Sequence, residues 1–224
     1  MNEQERAEEH LRTIRRLMER ATIYRAISAP TALVGGLLSL LACGFLLKAS
    51  VVLNLSPTSI FLPPPDYFLP VWLVVLLLTA AANTLFIVIG AKKRNEPVFS
   101  ASMKAALYAL APGFVAGGVF TLCFGEMIWD PMLDLIIGIG WAACYGLGLL
   151  ATAHFAPRSL TMLGWAFFLS SMVAIASLRL GGHFVDLHPY QYYFGPLFMA
   201  ATFGLFHLIY AACAWPRKGA SPEP

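Results

Sequence analysis

Residues 70–94 read PVWLVVLLLTAAANTLFIVIGAKKR, and this stretch decides the class of fold. Pro70–Ala91 is apolar apart from Thr79, Asn83 and Thr84, and its length meets the roughly 20 residues that a helix needs to cross a bilayer. The basic triplet Lys92-Lys93-Arg94 then ends the run as a stop-transfer clamp does. Working outward, five more stretches have the same character: Thr31–Leu47, Ala105–Phe124, Met132–Phe155, Ser159–Leu178 and Leu197–Trp215. The first is short, but it extends through Lys48 to Leu53 if the lysine snorkels to the interface. Only 12% of the 224 residues are charged, half of the roughly 25% usual in soluble domains. The expectation is an all-α polytopic membrane protein with six transmembrane helices and an N-terminal cytoplasmic amphipathic helix.

Direction follows from the basic residues. If the N-terminus is cytoplasmic, that side receives six N-terminal arginines together with Lys92, Lys93, Arg94, Lys104, Arg158, Arg217 and Lys218. That is thirteen of the fifteen, and only Lys48 and Arg179 fall on the other side. The bias predicts six spans with both ends inside. It also accounts for the net charge of +3 better than a nucleic-acid partner does, and no nucleic-acid motif is present.

The N-terminal segment, Glu3–Ala29, holds those six arginines and five glutamates. Leu11, Ile14, Leu17, Met18, Ala21 and Tyr24 recur at spacings of three and four, with Arg12, Arg15, Arg16, Glu19 and Arg20 between them. This predicts an amphipathic helix whose apolar stripe needs a cover: lipid, a second copy or another protein. The chain then divides into this helix (1–29), the membrane bundle (30–216) and a short tail (217–224). The first apolar run starts only near residue 31, behind a charged helix, so it reads as a retained anchor.

The connections fit the count. Asp130-Pro131 offers an N-cap and a first-turn proline to the fourth span, and Pro157 opens the fifth. Gly181-Gly182 closes that one, and the proline-rich segment 54–70 is no regular helix. Trp72, Trp129, Trp215, Tyr67, Tyr190, Tyr192 and Tyr193 fall at span ends, as interfacial aromatics do. Gly113 and Gly117 form one G-x-x-x-G, and Gly138, Gly140, Gly146 and Gly148 thin one helix so that others approach closely. The four cysteines lie in or beside apolar spans without C-x-x-C spacing, and they read as small core residues.

Two groups of residues could carry chemistry. On the outer side, His183, Asp186 and His188 form the densest cluster, with Glu126 or Asp130 within reach from a neighbouring loop. Imidazole and carboxylate together suit a divalent metal. The H-x-x-D-x-H spacing matches no metal motif, however, and a wet loop in which Arg179 pairs with Asp186 or Glu126 is the stronger reading. Inside the membrane, Asn83, Tyr145, Ser170, Ser171 and His207 lie at similar depth. Polar groups there need partners, so they face the bundle interior. They make either an interhelical hydrogen-bond layer, which is the favoured reading, or a substrate or proton path. His207 has no second histidine at its depth, which argues against haem. With no G-x-S-x-G and no H-E-x-x-H, the sequence names no catalytic residue and no cofactor.

Three stretches carry a resemblance: MERATIYRAISAP at 18–30, CYGLGLLATAHFAPRSLTMLGWAFFLS at 144–170 and FGLFHLIYAACAWPR at 203–217. They resemble an uncharacterised family of bacterial six-span membrane proteins, whose genes lie beside small winged-helix regulators. The resemblance implies a place in a regulated membrane module of a bacterial inner membrane. It carries no catalytic residue with it. The functional expectation is a non-enzymatic interaction, sensory or regulatory component acting through the N-terminal helix. The alternatives are a small transporter or channel built on Asn83, Tyr145 and His207, and an outer-face metal-dependent membrane enzyme.

Overall fold

The computed structural model describes residues 8–12, 29–54, 67–95, 98, 101–124, 131–154, 156–180 and 191–215. Beyond a helical turn at 8–12, these form six long helices: α1 (Ala29–Asn54), α2 (Phe68–Arg94), α3 (Ala101–Phe124), α4 (Pro131–Ala151), α5 (Arg158–Leu180) and α6. The last runs as α-helix over Gln191–Met199, π-helix over Ala200–Phe206 and α-helix again over His207–Ala214. Each is long and apolar enough to cross a membrane, with spans of Ala29–Val51, Phe68–Lys93, Met103–Phe124, Met132–Ala151, Arg158–Leu180 and Tyr192–Ala214. The chain is therefore an all-α, multi-pass membrane protein.

The sequence reading needs two corrections at span ends. The sixth span starts at Tyr192 rather than Leu197, because Pro196 is taken inside the helix instead of ending the approach to it. The fourth stops at Ala151, where the Thr152 and Ala153 N–H groups tighten to Leu149 O and Leu150 O. Among the described residues, the two proline signals act as read, while Asp130 and Gly181-Gly182 lie outside them. Pro131 is the first residue of α4, and the Pro157 carbonyl accepts the Leu160 and Thr161 N–H groups at 3.0 and 3.2 Å to start α5. Asn95 adds an end signal that the basic triplet hides. It sits at φ 53°, ψ 36°, and its N–H returns to the Ala91 and Lys92 carbonyls, a left-handed cap that asparagine tolerates.

Helices α4 and α6 form the centre. α4 packs on α3, α5 and α6; α6 packs on α1, α4 and α5; α2 lies against α1. Lys92, Lys93, Lys104 and Arg158 are exposed at one end of the bundle, the basic end, and Lys48 and Arg179 lie toward the far end. Contacts fix the directions: Gly35 meets Thr79 and Thr31 meets Asn83, so α1 and α2 are antiparallel. Gly138 meets Met199 and Tyr145 meets His207, so α4 and α6 are parallel.

Lipid is as apolar as leucine, so helices in a membrane associate through close packing and interhelical hydrogen bonds rather than by hiding apolar surface. The glycines supply that approach. A Cβ built on Gly146 would lie 2.8 Å from Phe168 N and 2.9 Å from Gly164 O, so α4 and α5 touch backbone to backbone. On Gly113 it would lie 2.6 Å from the Cys144 carbonyl of α4. Two apolar clusters fill the interior. Ala142, Leu149, Leu160, Leu163, Phe167 and Tyr210 gather toward the basic end. Cys43, Leu46, Phe68, Trp72, Leu133, Ile137 and Met199 gather toward the far end. By contrast, none of the most apolar stretch of α2 is fully buried: one side meets α1 through Thr79 and Asn83, and the rest is left to hydrocarbon.

Candidate functional site

Asn83, Tyr145 and His207 are the sixteenth, fifteenth and seventeenth residues of α2, α4 and α6, counted from Phe68, Pro131 and Gln191. All three helices run from the far end to the basic end. The depth expected from sequence is therefore common to the three, but their lateral positions differ.

Tyr145 and His207 meet. The Tyr145 hydroxyl is 3.0 Å from His207 Nε2, and His207 Nδ1 is 2.9 Å from the Phe203 carbonyl one turn earlier in its own helix. A carbonyl only accepts, so Nδ1 carries the proton. Nε2 of the neutral ring then accepts from the tyrosine hydroxyl. Both ring nitrogens are engaged. The local backbone explains the second bond: the His207 N–H reaches Gly204 O, while Phe203 O, its ordinary α-helical acceptor, takes the ring N–H.

Aromatic rings enclose the pair. Phe167, fully buried, has its centroid 4.9 Å from Tyr145 and 5.4 Å from His207. Phe203 lies 5.5 Å from Tyr145 and stacks on His207 at 6.1 Å. From Phe203 the rings continue toward the far end through Trp72 at 6.0 Å and Phe68 at 6.2 Å from Trp72, with Trp141 stacked on Phe68 at 6.0 Å. Trp141 donates its indole N–H to Thr121 Oγ1 of α3 at 2.7 Å. This corrects the reading of Trp72 as an interfacial aromatic. It is 5% exposed and belongs to the core. Its sequence position, five residues into α2, did not separate a residue at the interface from one turned inward.

Asn83 is elsewhere. Its side-chain carbonyl accepts the Thr31 hydroxyl at 3.2 Å across the seam of α1 and α2, with α1 between it and α6. Ser170 and Ser171 both donate to Phe167 O of their own helix at 2.9 Å, so neither hydroxyl bridges two helices there. The mid-depth polar set is therefore divided among three places: one interhelical pair on α4 and α6, one on α1 and α2, and two local bonds on α5.

His183, Asp186 and His188 lie outside the described residues, as do Glu126 and Asp130. No group of three His, Cys, Asp or Glu residues able to hold a metal occurs among the described ones. Asp134 is described, in the first turn of α4, where the helix dipole favours a carboxylate. Of the N-terminal stripe, Leu11 is described and 66% exposed, within the helical turn at 8–12. Ile14, Leu17, Met18 and Tyr24 lie outside the described residues. The cysteines are not all core residues: Cys43 is buried, but Cys123 and Cys213 face outward.

No family model, curated protein or solved structure matches the chain.

Proposed function

We propose that this chain is a non-enzymatic component of a bacterial inner membrane, an interaction, sensory or regulatory protein with both termini in the cytoplasm. The observation that supports this reading is how the mid-depth polar residues are used. A transport path at that depth needs groups that converge on one site and keep donors and acceptors for a cargo. Here His207 has both nitrogens engaged within the bundle, and Asn83 bonds on a different seam. Tyr145, His207 and Asn83 act as interhelical ties.

The orientation rests on the thirteen-to-two distribution of lysine and arginine, which makes the basic end cytoplasmic. Helix α1 begins at that end, and this orientation carries the N-terminal segment ahead of it to the same side. Its apolar stripe, from Leu11 to Tyr24, is the surface through which the protein engages itself, another protein or anionic lipid.

The test compares the full chain with a form lacking residues 1–27, each purified in native-lipid nanodiscs. The proposal expects the deletion to change the oligomeric state or remove a stoichiometric co-purifying protein or lipid. Identical behaviour in all three contradicts it.

A further inference from the structure

We propose that residues 200–206 are a register switch in α6, and that the Tyr145–His207 bond is the latch holding the register seen here. This goes beyond the functional reading above and does not depend on what covers the N-terminal helix.

A π segment closes i→i+5 rings where an α-helix closes i→i+4, so it holds one residue in excess. Such segments are rare and occur frequently at functional sites. When the excess is redistributed into a regular α-helix, everything downstream turns by one residue, about 100°. In α6 the downstream part is His207–Ala214, which leads to the basic end of the bundle.

The excess residue sits where three helices meet. A Cβ on Gly204 would lie 2.6 Å from Leu40 Cδ2, and one on Gly36 would lie 3.0 Å from Gly204 O, so α1 presses on the π segment itself. Leu208 packs against Gly36 just beyond it. On the other side Tyr145 of α4 holds the first residue after the segment, while the ring of that residue is tied back to Phe203 inside it. Pro196, which offers no backbone N–H, lies one turn upstream and weakens the ladder there.

The alternative register can be worked out from these contacts. With the excess removed, Phe206 takes the position facing Tyr145, and His207 takes the position facing Gly36. An apolar ring fills the first place but leaves the tyrosine hydroxyl without its acceptor. The glycine seam accepts a side chain in either register. The registers therefore differ by that hydrogen bond and by the repacking that brings Tyr210 to the buried place of Ala211 and Ile209 to that of Tyr210, a difference that a partner binding at the basic end can reverse.

The test uses electron paramagnetic resonance distances in the full-length chain in nanodiscs, with Cys43, Cys123, Cys144 and Cys213 replaced by alanine. Spin labels go on Ile209→Cys of α6 and Tyr108→Cys of α3, both exposed positions. The latched parent gives one distance population. Tyr145→Phe, which keeps the ring and removes the donor, should show a second population of at least roughly a tenth of the molecules. The new population should be displaced from the first, since a 100° turn moves a Cα by about 3.5 Å and the longer side-chain label farther.

Deleting Ala201 removes the excess residue. That variant should give a single population at the parent distance, and adding Tyr145→Phe to it should change nothing. A single parent-like population in Tyr145→Phe overturns the latch. A displaced label, or a failure to fold, in the deletion variant overturns the register switch.

Discussion

The Tyr145 hydroxyl of α4 lies 3.0 Å from Nε2 of His207 on α6, and these two parallel helices form the centre of the bundle. Hydrogen bonds between membrane helices contribute only about 0.6 kcal/mol on average and about 1.7 at most, because the unfolded chain also finds partners. Tyr145→Phe should therefore lower stability by about 0.6–1.7 kcal/mol, measured by reversible unfolding in mixed micelles. His207→Ala also empties a place among Phe167, Phe203 and Tyr145 and should cost about 3 kcal/mol or more. Equal losses for the two would show that the hydroxyl bond, and not ring packing, dominates.

The seam between α4 and α5 gives a steeper prediction. Any side chain on Gly146 meets backbone atoms of α5, which cannot swing away as a side chain can. Gly146→Ala should destabilise by about 1–3 kcal/mol, the range for overpacking. Gly44 is the control, since a Cβ there meets nothing within 4 Å. Gly44→Ala should stay within about 0.5 kcal/mol of the parent. Thermal unfolding of both variants in one detergent decides the matter.

Asn83 and Thr31 are predicted to act as a pair. Asn83→Leu and Thr31→Val should each lower stability, and the double variant should cost less than their sum by about 0.5 kcal/mol or more. Additive losses would place the two residues in separate environments. The same cycle between Asn83 and Tyr145 should show additivity, because those residues lie on different seams.

Orientation is open to a chemical test. In a cysteine-free background, Lys48→Cys should react with a membrane-impermeant maleimide in intact cells. Lys93→Cys should react only after the membrane is opened. Both side chains are exposed, so access to the reagent depends on the side of the membrane and not on burial. The reverse pattern would invert the topology.

The six spans are legible in the sequence because membrane-crossing helices need long apolar runs, a signal that survives any packing arrangement. Local end signals such as Pro131 and Pro157 were legible because they act through their own backbone, and Lys92-Lys93-Arg94 was legible by its charge. What composition hides is rotation about each helix axis. In a chain that is apolar all round, nothing in the pattern tells the side facing lipid from the side facing a neighbour. So Trp72 reads as interfacial though it is core, and Cys123 and Cys213 read as core though they face outward. Depth follows from counting residues, which is why Tyr145 and His207 could be placed at one level. Which depth-matched residues touch depends on helix neighbours, and this sent Asn83 to Thr31. The π segment carries no sequence mark beyond Pro196 one turn before it.

The claim on which the rest depends is that the mid-depth polar residues are closed on one another. Nitrogen-15 NMR of His207 in the labelled full-length protein in nanodiscs tests it most directly. The account predicts a single neutral tautomer with the proton on Nδ1, an acceptor-type Nε2 whose resonance moves in Tyr145→Phe, and slow exchange of the ring proton with solvent. A proton on Nε2, or a ring proton exchanging freely with water, would contradict it and point to a hydrated path through the bundle.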